Sequence, residues 1–232
     1  YIQMNLERNK TDKKDAWHIC MYGIERKPAQ YQMPEQQYFE CRTLNSAIET
    51  ITAEITAFTN KIYAQKKQKT DTSAVLRSYN QIVKTLKEQL QNKLLLWQPG
   101  LVKQVRSVKG IGSRATATLI VATQGFKNTH RYQQLISYAG LSPKLYTSGK
   151  SIRGKVRISK KGGKQLRHIL YMCALNAKTT NPACKALFDR LVAKGKNKKL
   201  AIIAVCNKLL KQVFAVVKSG ELYSDNYYKK AA

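Results

Sequence analysis

Leu44, Ile48, Ile51, Ile55, Phe58 and Ile62 recur at alternating steps of four and three residues, the spacing that lays one apolar seam along a long helix. A second seam runs through Leu76, Tyr79, Val83, Leu86, Leu90, Leu94 and Trp97, and stops at Pro99-Gly100. Only a polar stretch, Gln65 to Ser73, separates them. Two such helices joined by a short polar link predict an antiparallel hairpin, here a coiled coil over residues 40–99. The same seams suit two helices of an ordinary bundle, and they close equally well within one chain or between two. A homo-oligomer, dimer or tetramer, is the expectation this segment raises.

The second constraint is electrostatic. From Glu88 to Asp189 there is no acidic residue between the two, while eighteen Lys and Arg fall inside that interval. The whole chain carries 42 Lys and Arg against 13 Asp and Glu, a formal charge of +29 over 232 residues. Residues 1–100 hold 15 bases and 10 acids, whereas residues 101–232 hold 27 bases and 3 acids. A surface so unbalanced repels itself unless a polyanion is near. Nucleic acid is the partner class this charge selects. A hydrophobic content of 43% is that of a chain that builds cores, which excludes a disordered basic tail.

No apolar run approaches the roughly 20 residues needed to cross a bilayer, so no membrane partner is expected and the cytoplasm, close to the bacterial nucleoid, is the expected location. Cys20, Cys41, Cys173, Cys184 and Cys206 are odd in number and never form a CxxC pair, which argues for reduced, buried thiols rather than disulfides or a zinc knuckle. His18, His130 and His168 are isolated from one another and receive no chemical role.

Helix signals fill most of the remainder, and the expected fold class is mainly α. One helix is predicted from Thr11 or Asp12 to about Gly23, since Asp favours helix entry and Gly favours the exit. From Leu101 onward short helices alternate with glycine turns: Leu101–Val108, then Lys109-Gly-Ile-Gly112, then Ser113–Thr123. This resembles a helix-hairpin-helix unit, in which Gly110 and Gly112 let backbone N–H groups approach a phosphate at a helix N-terminus. Tight packing of a helix corner is the competing reason for those glycines. Further helices are predicted at Arg131–Ala139, Lys164–Lys178, Pro182–Ala193 and Lys199–Lys218. No alternating strand pattern occurs in residues 100–232, so that part is expected to be all-α.

Between Pro143 and Lys164 lies a run rich in cations, glycines and hydroxyls. Ser148-Gly-Lys150-Ser151-Ile-Arg153-Gly154 sets two serines beside two glycines, and Arg157, Lys160, Lys161, Lys164 and Arg167 follow. Glycines admit a close backbone approach, and guanidinium forks match the charge spread over phosphate oxygens. Two readings fit the spacing: a serine that attacks a phosphodiester, or a phosphate-binding loop whose hydroxyls only donate hydrogen bonds. Metal-assisted phosphoryl chemistry calls for clustered carboxylates. The only acids so placed are Asp12 and Asp15, three residues apart and on one face of a helix. A solvated, salt-bridged helix start explains them as well.

Taken in order, Arg8-Asn-Lys-Thr-Asp12-Lys-Lys-Asp15-Ala16, Gly110-Ile-Gly112, Tyr138-Ala-Gly140-Leu-Ser-Pro143, Ser148-Gly-Lys-Ser-Ile-Arg153-Gly154, Ile158-Ser-Lys-Lys-Gly162 and Leu166-Arg167 resemble the insertion-sequence transposases of the one-hundred-and-ten family, DEDD-type recombinases guided by a bridge RNA. The resemblance covers nearly the whole chain. It implies a RuvC-like domain of RNase H fold, a coiled coil for dimerisation, and a helical transposase domain with a catalytic serine. On that likeness residues 1–39 are a C-terminal remnant of the RuvC-like domain, 40–99 the coiled-coil hairpin and 100–232 the transposase domain. Asp12 and Asp15 match the last two acids of a magnesium-binding set, and Ser148 matches the nucleophile. Gly110, Gly112, Lys150, Ser151, Arg153, Arg157, Lys160, Lys161 and Arg167 are then the expected nucleic-acid contacts. DNA and a guide RNA are the implied partners, Mg2+ the implied cofactor. The family's first Asp and its Glu belong upstream of Tyr1, so the resemblance implies an N-terminally truncated chain with an incomplete metal site and little recombination of its own.

Two other readings compete with that one. A non-catalytic basic module would grip DNA or RNA backbones with the same residues and cleave nothing. A tyrosine recombinase acting through Tyr146 lacks the Arg-His-Arg set that such chemistry needs.

Overall fold

The computed structural model describes residues 11–28, 30–64, 72–144, 147–148, 152–153 and 157–225. These fall in two units, residues 1–34 and residues 35–232.

The first unit holds helix α1 (Asp12–Arg26). Thr11 caps it, its Oγ1 accepting a hydrogen bond from the Lys14 N–H at 3.3 Å, and Asp12 and Asp15 stand in the first turn, where negative charge complements the helix dipole. Gly23 does not end this helix. Lys27 does, in a left-handed conformation (φ 42°) with its N–H on the Gly23 carbonyl, and Pro28 follows, which cannot continue a helix.

The second unit begins with the predicted hairpin: α2 (Gln36–Ala64) and α3 (Ser73–Trp97) pack along each other. Every residue of both seams is buried or half-buried and their neighbours are mostly exposed. Burial is complete only in the half nearest Glu35 and Trp97, at Cys41, Ile48, Leu90 and Leu94. There the hairpin also meets a further helix, α5 (Ser113–Ala122). Polar ties fix this base. Glu35 accepts from Trp97 Nε1 at 2.8 Å and from Lys127 Nζ at 2.7 Å, and Arg114 Nη1 donates to Asn45 Oδ1 at 2.7 Å. The Arg114 guanidinium, held below its ordinary value by burial and opposed by the nearby Glu49, is thus part of the packing.

The rest is α4 (Pro99–Ser107), α5, α6 (Tyr132–Tyr138), α7 (Lys164–Thr180), α8 (Pro182–Ala193) and α9 (Lys198–Ser219). Helix α9 is the spine. Its Ala201, Val205, Cys206, Leu209, Leu210 and Val213 are fully buried, and it packs against α4, α6, α7 and α8. By length and composition alone α9 could cross a membrane; its apolar face is instead the middle of this core. Burial of Val205, Leu209, Leu210 and Val213 stabilises by roughly 1.5–3 kcal/mol each.

The expectation of a mainly α chain holds, with nine helices among the described residues. One departure concerns the basic run, where four two-residue strands form. β1 (Pro143–Lys144) pairs antiparallel with β4 (Arg157–Ile158), and β2 (Thr147–Ser148) with β3 (Ile152–Arg153). Period-two alternation is invisible in strands this short.

Candidate nucleic-acid interface

The basic hairpin between α6 and α7 is closed at its root by the backbone. Ser159 N–H donates to the Ser142 carbonyl at 2.8 Å, Lys160 N–H to Gly140 at 3.1 Å and Gly163 N–H to Tyr138 at 2.9 Å. Ser137 and Ser142 share a side-chain hydrogen bond of 2.9 Å. Two glycines make this closure possible. A Cβ on Gly140 (φ +66°) would press on the Arg167 guanidinium and lie 2.9 Å from the Lys161 carbonyl oxygen, and one on Gly162 (φ +129°) would strike the Tyr138 carbonyl. Lys160 takes a left-handed conformation at φ 55°, which costs a non-glycine residue about 1–2 kcal/mol. The root is therefore built for close approach of two chain segments.

Above that root the register sets Lys144 opposite Arg157 and Ser148 opposite Ile152. Lys144, Arg157, Lys160, Lys161 and Lys164 are all exposed, and no carboxylate occurs in sequence between Glu88 and Asp189 to offset them. Ser148 and Arg153 are placed by their backbone on paired strands; Lys150 and Ser151 lie outside the described residues, as does Tyr146. Arg167, half-buried on the first turns of α7, donates from Nη1 to the Ala139 carbonyl at 2.9 Å. It holds the end of α6 to the start of α7. Sequence reasoning did not single out Lys144 as a contact, because only the register shows that it stands across from Arg157.

Gly110 and Gly112 divide the two reasons offered for them. Gly110 (φ +100°) would bring a Cβ to 2.5 Å from the Ala177 Cβ on α7, so packing requires it. Gly112 caps α5, is exposed, and has open space where a side chain would go. The turn between them is also tied down chemically. The Lys109 carbonyl accepts from Asn181 Nδ2 at 3.1 Å, and the Lys109 ammonium forms an ion pair with Asp225. Asp225 lies two residues beyond Tyr223, whose N–H donates to Ser107 Oγ at 2.8 Å.

Asp12 and Asp15 belong to the first unit and Ser148 to the second. Asp12 is exposed and Asp15 half-buried. Among the described residues no three His, Cys, Asp or Glu side chains gather as a metal site. Two carboxylates in one helical turn still fit Mg2+, which is held by one or two protein carboxylates and completes its shell with water and phosphate oxygens.

Residues 102–189 match the family described as Transposase IS116/IS110/IS902 family. The chain is similar to the pilin gene-inverting protein of Moraxella bovis, 28% identical over 227 residues that span 96% of this chain and 70% of the relative. The pilin gene-inverting protein of Moraxella lacunata matches with the same identity and coverage. An insertion element IS110 uncharacterized 43.6 kDa protein of Streptomyces coelicolor is 30% identical over 132 residues, 57% of this chain and 32% of that protein.

Proposed function

We propose that this chain is a DNA transposase or recombinase that acts in the cytoplasm on DNA phosphodiesters through Ser148. The observation that carries the reading is that the span matching the transposase family, residues 102–189, contains the whole seat of the basic hairpin, from Tyr138 through Gly162 to Arg167. Relatives named for inverting a pilin gene favour strand exchange over simple cleavage.

In the proposed step the Ser148 hydroxyl oxygen forms a bond to phosphorus while one P–O bond of the DNA strand breaks. The serine proton passes to a base, and the departing strand oxygen takes up a proton. A hydroxyl end of a second strand then attacks the phosphoserine, restoring the serine and joining strands in a new order. Bonds made equal bonds broken, so no external energy source is needed. Arg153 and Arg157 stabilise the phosphorane charge, while Lys150, Ser151, Lys160, Lys161 and the α5 N-terminus at Gly112 hold the backbone. Arg167, engaged with Ala139, positions the hairpin. Asp12 and Asp15 would hold Mg2+, which when bound polarises a phosphoryl oxygen. A guide RNA would choose the DNA by base pairing, and the coiled-coil hairpin would join copies of the chain.

The test is a DNA cross-linking assay under denaturing conditions with wild type and Ser148→Ala. The expected result is a covalent protein–DNA species with wild type and none with the variant, at equal DNA affinity. Tight, salt-sensitive binding without any adduct in wild type would instead identify a non-catalytic basic module.

A further inference from the structure

Helices α8 and α9 enclose an open groove lined by Ala183, Ala186 and Ala204 together with Arg190, Lys208 and Lys211. Its floor is low because three lining positions are alanine, and its rim is cationic. Residues 190–220 contain eight Lys and Arg and no acid, and Asp189 is not among the lining residues. The α8–α9 turn extends the charge with Lys194, Lys196, Lys198 and Lys199, all exposed.

We propose that this groove is a second binding site for the phosphodiester backbone of a nucleic acid, gripped by Arg190, Lys208 and Lys211 and lying outside the basic hairpin. The inference rests on the nucleic-acid function proposed above and adds a surface to it. Arg190, Lys208 and Lys211 bring three like charges together on a narrow concave strip whose lining holds no carboxylate, an arrangement that favours an anion. Partial burial first, opposed by Cys184, and then the neighbouring Lys211 and Arg190 hold the Lys208 ammonium below its ordinary value. Lys211 is held in place by its stack on the Tyr132 ring, 4.8 Å from the centroid. The alanine floor leaves room for a strand to approach the three cations together.

The decisive experiment titrates the full chain with a labelled duplex DNA and a single-stranded RNA of the same sequence across a salt series. Comparison is with Arg190→Gln/Lys208→Gln/Lys211→Gln. Loss of three phosphate contacts should flatten the slope of log affinity against log salt by about 2.7 for duplex DNA or about 2 for single-stranded RNA. The ligand whose slope flattens is the occupant. An unchanged slope with both ligands overturns the proposal. A control that removes three exposed cations from α3, Arg77→Gln/Lys84→Gln/Lys87→Gln, should leave the slope nearly unchanged; equal flattening there would overturn the proposal as an effect of bulk charge.

Should the charge variant fail to fold, Ala186→Leu keeps every charge and fills the groove from an exposed position. It is expected to weaken the same ligand several-fold, and an unaltered affinity overturns the proposal. Lys160→Gln/Lys161→Gln is measured alongside. A flatter slope in that variant, with the groove variant unchanged, removes the groove and leaves the hairpin function standing. A wild-type chain that binds neither nucleic acid removes both.

Discussion

Gly110 lies so close to Ala177 that a Cβ added at 110 would fall 2.5 Å from the Ala177 Cβ. The corner between α4 and α5 is thereby locked against α7, the helix that also carries Arg167. Through α7 the glycine turn and the basic hairpin share one support.

Replacing Gly110 with Ala forces both that clash and a left-handed backbone on a residue with a side chain. The expected cost is about 3 kcal/mol, or a fall in Tm of roughly 6–12 °C for a chain of this size. Gly112→Ala meets open space and should cost about 1 kcal/mol or less, the loss of a glycine N-cap, while weakening DNA if the α5 N-terminus contacts phosphate. Thermal unfolding by circular dichroism separates the two. Equal destabilisation would contradict the packing assignment.

Arg167→Ala removes a charged donor from the Ala139 carbonyl in a half-buried site, at an expected cost of about 1–2 kcal/mol. Because this residue acts by holding the hairpin, adduct yield should fall further than DNA affinity does. A variant that loses affinity and adduct in equal proportion would make Arg167 a direct phosphate contact.

Burial pushes the Cys206 thiol up to about 12 and the Cys41 and Cys184 thiols up to about 11, with Cys173 raised for the same reason. Such thiols stay protonated and unreactive at neutral pH. Cys20 alone is exposed among the five free cysteines. Iodoacetamide should therefore label Cys20 in the native protein and all five in denaturant, read by peptide mass. Native labelling of Cys206 would show that the core around α9 opens.

Hydrogen bonds from Lys127 and then Trp97 hold the Glu35 carboxyl below its ordinary value of 4.5. A lowered acid stabilises the fold fully above its unfolded value and loses that contribution as pH falls through the folded one. The Tm gap between wild type and Glu35→Gln should accordingly be constant near neutrality and shrink below about pH 4.5. A gap that stays constant into acid would mean that the tie of Glu35 to Trp97 and Lys127 is absent in solution.

Sequence spacing revealed the α2–α3 hairpin because its apolar positions repeat with a helical period over many turns, and Ile48, Val83, Leu90 and Leu94 are buried as that period requires. Helix ends were less legible. Gly23 has the residue type of a terminus but lies inside α1, since Lys27 followed by Pro28 supplies the stop. The basic run showed its charge but not its ladders, whose pairing of Pro143 with Ile158 and Lys144 with Arg157 depends on a root made by distant contacts among Tyr138, Gly140 and Gly162. Packing was one of the two reasons the sequence offered for Gly110, but its partner was hidden, because Ala177 lies far along the chain. The α8–α9 groove was missed since Arg190, Lys208 and Lys211 come together only when two helices pack.

The proposed catalysis requires the Ser148 oxygen to become bonded to a DNA phosphorus. The direct measurement is to digest the DNA and protein of a trapped complex and locate the residual nucleotide by mass spectrometry. A phosphonucleotide on the peptide that contains Ser148 is the predicted result. The same modification on another residue, such as Ser151 or Tyr146, would contradict it.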